Sequence, residues 1–194
     1  MSDCRRIAAQ CGFGESARWG ETLGMRFLSG DIRALSRDRK PDLIVSLHAC
    51  DVATDIVLSS AAKLGAGVIL STPCCHRRLG DSLAKVRADS PLSFVLRRPK
   101  LRGKLAEAVT DAIRCLYLEA LGYRVDVTEL VDPDDTPKNT LIRACRVSST
   151  PERLAEKQAE LKTALTFLLG DGADAYVADT LGDLPKGEAY DDRA

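Results

Sequence analysis

The 194-residue sequence predicts an α/β fold with a mostly parallel sheet and a C-terminal antiparallel strand pair. Three observations carry the prediction. Leu43-Ile44-Val45 and Val68-Ile69-Leu70 are short apolar runs, β-branched at the centre, as in strands covered on both faces. Between them Ile56, Val57, Leu58, Ala61, Ala62 and Leu64 form an apolar helical surface stopped by Gly65, so strand, helix and strand make one unit with parallel strands. Later, the strand patterns at 124–130 and 141–147 follow one another without a helix, which predicts antiparallel pairing.

Taken in order, residues 4–11 read as the end of a helix, with Ile7, Ala8 and Cys11 on one side and Gly12 as its stop. Met25-Arg26-Phe27-Leu28 reads as a short strand ending at Ser29-Gly30-Asp31-Ile32. After the first parallel unit, the stretch from Arg77 to Lys104 is strongly basic, its only acids being Asp81 and Asp89. A solvated helix face explains such a run, and so does an anionic partner. Leu101, Leu105, Val109, Ala112, Ile113, Leu116 and Leu121 keep helical spacing, and Gly122 ends that helix. Residues 124–130 alternate as a half-exposed strand does, the loop 132–139 follows, and 141–147 is the last strand. Thr150 caps a helix opened by Pro151, whose packed face is Leu154, Leu161, Leu165 and Leu168. One domain is therefore expected over 1–170, with 151–170 as its C-terminal helix and 171–194 as an acidic, loosely ordered tail.

Composition narrows the class. Hydrophobic content of 45% and charged content of 29% suit a soluble globular chain. The 28 basic and 28 acidic residues cancel, so net charge points to neither nucleic acid nor membrane. No apolar run approaches the roughly 20 residues of a membrane helix, and the first ten residues carry no signal-peptide core. Seven cysteines without regular spacing predict reduced thiols and a cytoplasmic protein.

Three motifs sharpen the reading: Leu47-His48-Ala49-Cys50-Asp51-Val52-Ala53-Thr54-Asp55, Pro73-Cys74-Cys75-His76, and Thr136-Pro137-Lys138-Asn139-Thr140-Leu141-Ile142-Arg143. In that order they resemble the class I S-adenosylmethionine-dependent methyltransferase domains of the methyltransferase-like protein 25 relatives. They are similar in pattern to the tRNA 2′-O-methyltransferases of the Trm13 type. The resemblance covers residues 4–147 and implies a Rossmann-like sheet, S-adenosylmethionine as cofactor, and methyl transfer to an unidentified acceptor, RNA being one candidate. It also implies an N-terminally incomplete sheet. Gly12-Phe13-Gly14 follows a helix rather than a strand, so the glycine-rich cofactor turn is not met, and residues 25–28 align with the third strand. The strand at 43–47 would then lack a neighbour, which predicts self-association. The alternatives are a non-catalytic remnant or fragment acting as an interaction module, and a zinc-binding protein.

The resemblance also implies roles for residues. Asp31 would accept a bond from the adenine amino group with Ile32 against the ring, where a turn or helix cap is the plainer role for an aspartate. Leu47 and His48 stand at the cofactor. His48, Asp51, Cys75 and His76 are the catalytic candidates: a cysteine thiolate as nucleophile, and His76 taking a proton from a hydroxyl or amine. Asp51 also suits a helix cap, Asp55 a first-turn acid, and Cys74 and Cys75 a pair of small buried thiols. Lys138 and Asn139 are the substrate-contact candidates, set against a proline-punctuated turn. No metal is assigned, although His48 with Cys50 and Cys74 with His76 would offer zinc two sulfurs and two nitrogens if both strands ran on.

Overall fold

A computed structural model of the chain describes residues 2–13, 25, 27–34, 40–47, 49–86, 90–132, 134, 136 and 138–182. The chain divides into two compact units, Met1–Ser36 and Arg37–Ala194, where the sequence predicts a single domain over 1–170. In the first, helix α1 (Ser2–Gln10) ends before Gly12 as expected, and a 3₁₀ turn covers Ile32–Ala34. Met25, Phe27 and Leu28 are not in a strand, which corrects the expectation for 25–28; Arg26 lies outside the described residues. A strand needs a neighbour for its backbone groups, and no described strand pairs with this stretch.

The second unit opens with β1 (Leu43–Leu47), α2 (Val52–Lys63) and β2 (Val68–Thr72). Gly65, at φ 76, turns the chain out of α2, a conformation that costs glycine little. Three helices follow: α3 (Arg77–Leu83), α4 (Ser93–Leu96) and α5 (Pro99–Glu119). Gly122, at φ 86, turns α5 into β3 (Tyr123–Glu129), and β4 (Thr140–Arg146) returns beside it. The chain then forms α6 (Pro151–Leu169), with the Thr150 side chain accepting from Arg153 N, and α7 (Ala173–Thr180).

The four strands run in the order β1-β2-β4-β3. β1 and β2 are parallel, with Leu47 opposite Thr72, whereas β4 is antiparallel to both β2 and β3. The sheet is thus mixed rather than mostly parallel. The expected antiparallel pair is present, but β4 inserts between β2 and β3, with Ala144 opposite Ile69, so its central position adds a second antiparallel seam.

Helices cover one face. Leu58 and Ala61 of α2 and Ile113, Tyr117 and Leu118 of α5 join Ile69, Ile142 and Ala144 of the sheet in one core, with Leu161 and Leu165 of α6 behind α5. On the opposite face of β1, Leu43, Val45 and Leu47 remain exposed, which corrects the expectation of a strand covered on both sides. The inward face of α5 is also rotated from the expected one. Leu101 and Ala112 are exposed, while Thr110, Asp111 and Arg114 are buried. Helical spacing counts apolar residues and does not register polar groups that satisfy one another inside. The tail expectation fails for 171–182. Ala173, Tyr176, Val177 and Leu181 are buried, and Tyr117 Oη donates to Leu181 O at 3.2 Å. Residues 183–194 lie outside the described residues. Acidic surface positions lower the average hydropathy of a segment whose inward face is still apolar.

Candidate active site at the carboxyl ends of β1 and β2

Because β1 and β2 are parallel and end in register, the turns that follow them are neighbours. Four hydrogen bonds hold these turns. Thr54 Oγ1 donates to Ala49 O across the first turn of α2. Both carboxylate oxygens of Asp51 accept from Arg78 N at 3.1 Å. Asp51 O accepts from Arg114 Nη2 at 2.9 Å. Asp51 occupies the N-cap position of α2 but makes no side-chain cap there; its carboxylate caps α3 instead. It does so with φ 51 and ψ −121, a conformation that strains a residue carrying a Cβ.

The same two turns bring Cys50, Cys74 and Cys75 together. Their sulfurs lie within 4.8 Å of one another, with Cys50 Sγ to Cys74 Sγ at 3.5 Å and Cys74 Sγ to Cys75 Sγ at 3.7 Å. None of the seven cysteines, all among the described residues, is in a disulfide. Burial first, then the hydrogen bonds from Cys50 and Cys75, push the Cys74 thiol up to about 11, so Cys74 is not an activated nucleophile here.

Behind the turns lies a polar chain that the sequence pattern did not single out. Arg114 is fully buried; its Nε meets Asp55 Oδ1 at 2.7 Å and its Nη1 meets Asp111 Oδ1 at 3.0 Å. Asp111 Oδ1 also meets His76 Nε2 at 3.0 Å. Burial pushes the Asp55 carboxyl up, with Arg114 pulling the other way. Burial works against the Arg114 charge, but Asp55 and Asp111 outweigh it and raise its pKa, so this is a buried guanidinium on two carboxylates. A carboxylate oxygen accepts, so the His76 tautomer that donates from Nε2 to Asp111 carries its lone pair on Nδ1. Among the described residues that Nδ1 is buried without a hydrogen-bond partner, 3.9 Å from Glu107 Oε1. The recoverable signal was Asp111 and Arg114 recurring three apart among the buried positions of α5.

A cavity of about 410 Å³ opens beside this histidine, lined among others by His76, Arg77, Arg102, Glu107 and Lys138. Lys138, expected at the substrate, does reach this rim, where it pairs with Glu107. A larger cavity of about 700 Å³, lined among others by Lys85, Phe167 and Tyr176, holds none of the sequence-expected site residues.

The remaining expected residues separate. Asn139 is buried and spent on its own loop: Oδ1 accepts from Leu130 N at 3.0 Å and Val131 N at 2.7 Å, and Nδ2 donates to Val131 O. It staples the β3–β4 connection, which corrects its assignment to substrate. Leu47 ends β1 with its side chain exposed, and His48 lies outside the described residues. In the first unit Ile32 is half-buried. Arg33 grips both oxygens of Asp31 at 2.6–3.0 Å and holds that carboxyl down at about 2, so Asp31 stands as a turn-anchoring acid.

Comparison with known proteins agrees with the motif reading at a coarse level. Residues 1–82 match a family model described as a methyltransferase domain, which spans both turns, all three clustered cysteines and His76. A Drosophila melanogaster protein described as a glutathione S-transferase C-terminal domain-containing protein homolog is 30% identical over 122 residues, covering 50% of this chain. The chain spans 21% of the length of that curated relative. No solved structure matches the chain. Among the described residues, no helix is long and apolar enough to cross a membrane.

Proposed function

We propose that this chain supplies the acceptor-facing part of a methyltransferase that draws its methyl group from S-adenosylmethionine. The match of residues 1–82 to a methyltransferase domain supports the reaction class. The observation that carries the acceptor site is His76, clamped on Asp111 through Nε2 and left with an unpartnered Nδ1 at the edge of an open cavity. Among the described residues the expected adenine partner is already engaged, both oxygens of Asp31 being held by Arg33.

On the acceptor side the chain's own groups suffice for positioning, which is the larger part of what methyl transfer asks of a protein. His76 Nδ1 receives the hydrogen bond of an acceptor hydroxyl or amine once the Glu107–Lys138 pair moves aside. Asp111 and Arg114 keep the ring in the tautomer that leaves Nδ1 open. RNA is the acceptor class the surroundings favour. Arg97, Arg98, Lys100 and Lys104 are exposed at the start of α5, next to Arg102 and Gly103 on the cavity wall, and offer phosphate contacts.

Two measurements test the reading. Calorimetric titration with S-adenosylmethionine should show saturable heat, and radiolabelled methyl should pass to an RNA pool. His76→Gln should lower transfer by about 10²-fold or more while leaving the circular dichroism spectrum unchanged. Absence of both binding and transfer would overturn the reading and favour an interaction module.

A further inference from the structure

We propose that Cys50, Cys74 and Cys75 form a zinc site at the carboxyl ends of β1 and β2. The donor set differs from the two sulfurs and two nitrogens that sequence spacing suggests, because His76 turns away to Asp111.

The geometry is already that of a thiolate zinc site. With Zn–S bonds of about 2.3 Å, two sulfurs on a zinc tetrahedron stand about 3.8 Å apart. Cys50 to Cys74 is 3.5 Å and Cys74 to Cys75 is 3.7 Å, with the third separation inside 4.8 Å, so little rearrangement is needed. Both turns are pinned independently of any ion, the first by Thr54 on Ala49, the second by His76 on Asp111, and the two to each other by Asp51 on Arg78. Supporting groups of this kind keep ligands in place. The site is also open to entry, Cys50 being exposed and Cys74 and Cys75 partly so.

On binding a divalent ion each ligating thiol releases its proton to solvent. Zinc fits better than calcium or magnesium, since soft sulfur donors select it over ions that want oxygen. Three protein sulfurs leave the fourth tetrahedral position to a donor outside the triad. The inference does not depend on methyl transfer, and its test uses neither cofactor nor acceptor.

The test is titration of the reduced, metal-free chain with cobalt(II) alone, followed by zinc. The expected result is thiolate-to-cobalt charge-transfer absorption saturating at one ion per chain and bleached by zinc. Cys50→Ser and Cys74→Ser should each weaken binding by about tenfold or more, and Cys115→Ser should leave it unchanged. X-ray absorption of the zinc-loaded wild-type chain should give three sulfurs at about 2.3 Å, a reading that does not require any variant to fold. The proposal is overturned if no charge-transfer band develops, if the band survives in both serine variants, or if absorption finds fewer than three sulfurs. It is also overturned if the reduced chain takes no cobalt and air oxidation links Cys50 to Cys74.

Discussion

Arg114 of α5 holds Asp55 of α2 through Nε at 2.7 Å and Nη2 at 3.3 Å, with both side chains closed to solvent. This pair joins the helix after β1 to the helix before β3 and carries Asp111, and through it His76, on the same guanidinium. Removing one member leaves a buried charge uncompensated. Arg114→Met should cost about 3–5 kcal/mol in urea unfolding, and the double change Arg114→Met with Asp55→Leu should recover much of that loss. Equal destabilisation in the single and double variants would mean that packing, not charge, dominates there.

Asn139 carries three hydrogen bonds in the β3–β4 connection. Asn139→Ala should destabilise the fold by about 1–3 kcal/mol, since it removes the three side-chain hydrogen bonds that hold the loop. Hydrogen exchange should speed up at Val131 first, because Leu130 N keeps its bond to the backbone oxygen of residue 139. Unchanged protection there would place the loop's stability elsewhere.

Among the described strands β1 pairs on one side only, and Leu43, Val45 and Leu47 make an exposed apolar row along it. Such an edge recruits other strands. The chain should therefore self-associate in sedimentation at high concentration, and Val45→Lys should shift it toward monomer. A wild-type chain that sediments as monomer throughout would refute the expectation.

The Cys115 thiol is pushed up to about 12, first by burial and then by the Asp111 and Glu119 carboxylates. At pH 8 its thiolate fraction falls about a thousandfold below that of a thiol at about 9, so alkylation should reach Cys4 and Cys11 long before Cys115. The folded chain keeps this proton while the unfolded chain sheds it, so the contribution to stability is present below about 9 and lost as pH rises toward 12. Mass spectrometry of time-resolved alkylation reads the order directly. Early modification of Cys115 in the folded chain would contradict it.

Much of the fold was legible in one dimension because it rests on local rules. The Gly65 and Gly122 stops, the Thr150 cap, the β1–α2–β2 unit and the antiparallel β3–β4 pair each follow from spacing, chain reversal or side-chain chemistry within a few residues. The site was legible in part for the same reason. Parallel strands that end together bring Cys50, Asp51, Cys74, Cys75 and His76 to one place, and a βαβ pattern predicts that much.

What the residues do there was not legible. Asp51 caps α3 rather than α2, Asn139 turns into its own loop, and His76 leaves the cysteines for Asp111. Each of these is a choice between partners distant in the chain, and the winner is set by which donor and acceptor burial leaves unsatisfied. Arg114 is the extreme case. Helical spacing marks its helix and misses its role, because a buried guanidinium is tolerated only when α2 and α5 pack so that Asp55 and Asp111 converge on it. The sequence by itself determined the four strands of the sheet, the helices between them and the meeting of the two turns after β1 and β2. The tertiary structure alone decided the mixed strand order, the covered face of the sheet and the hydrogen-bond partner of every polar group in the site, since those depend on which surfaces exclude water together.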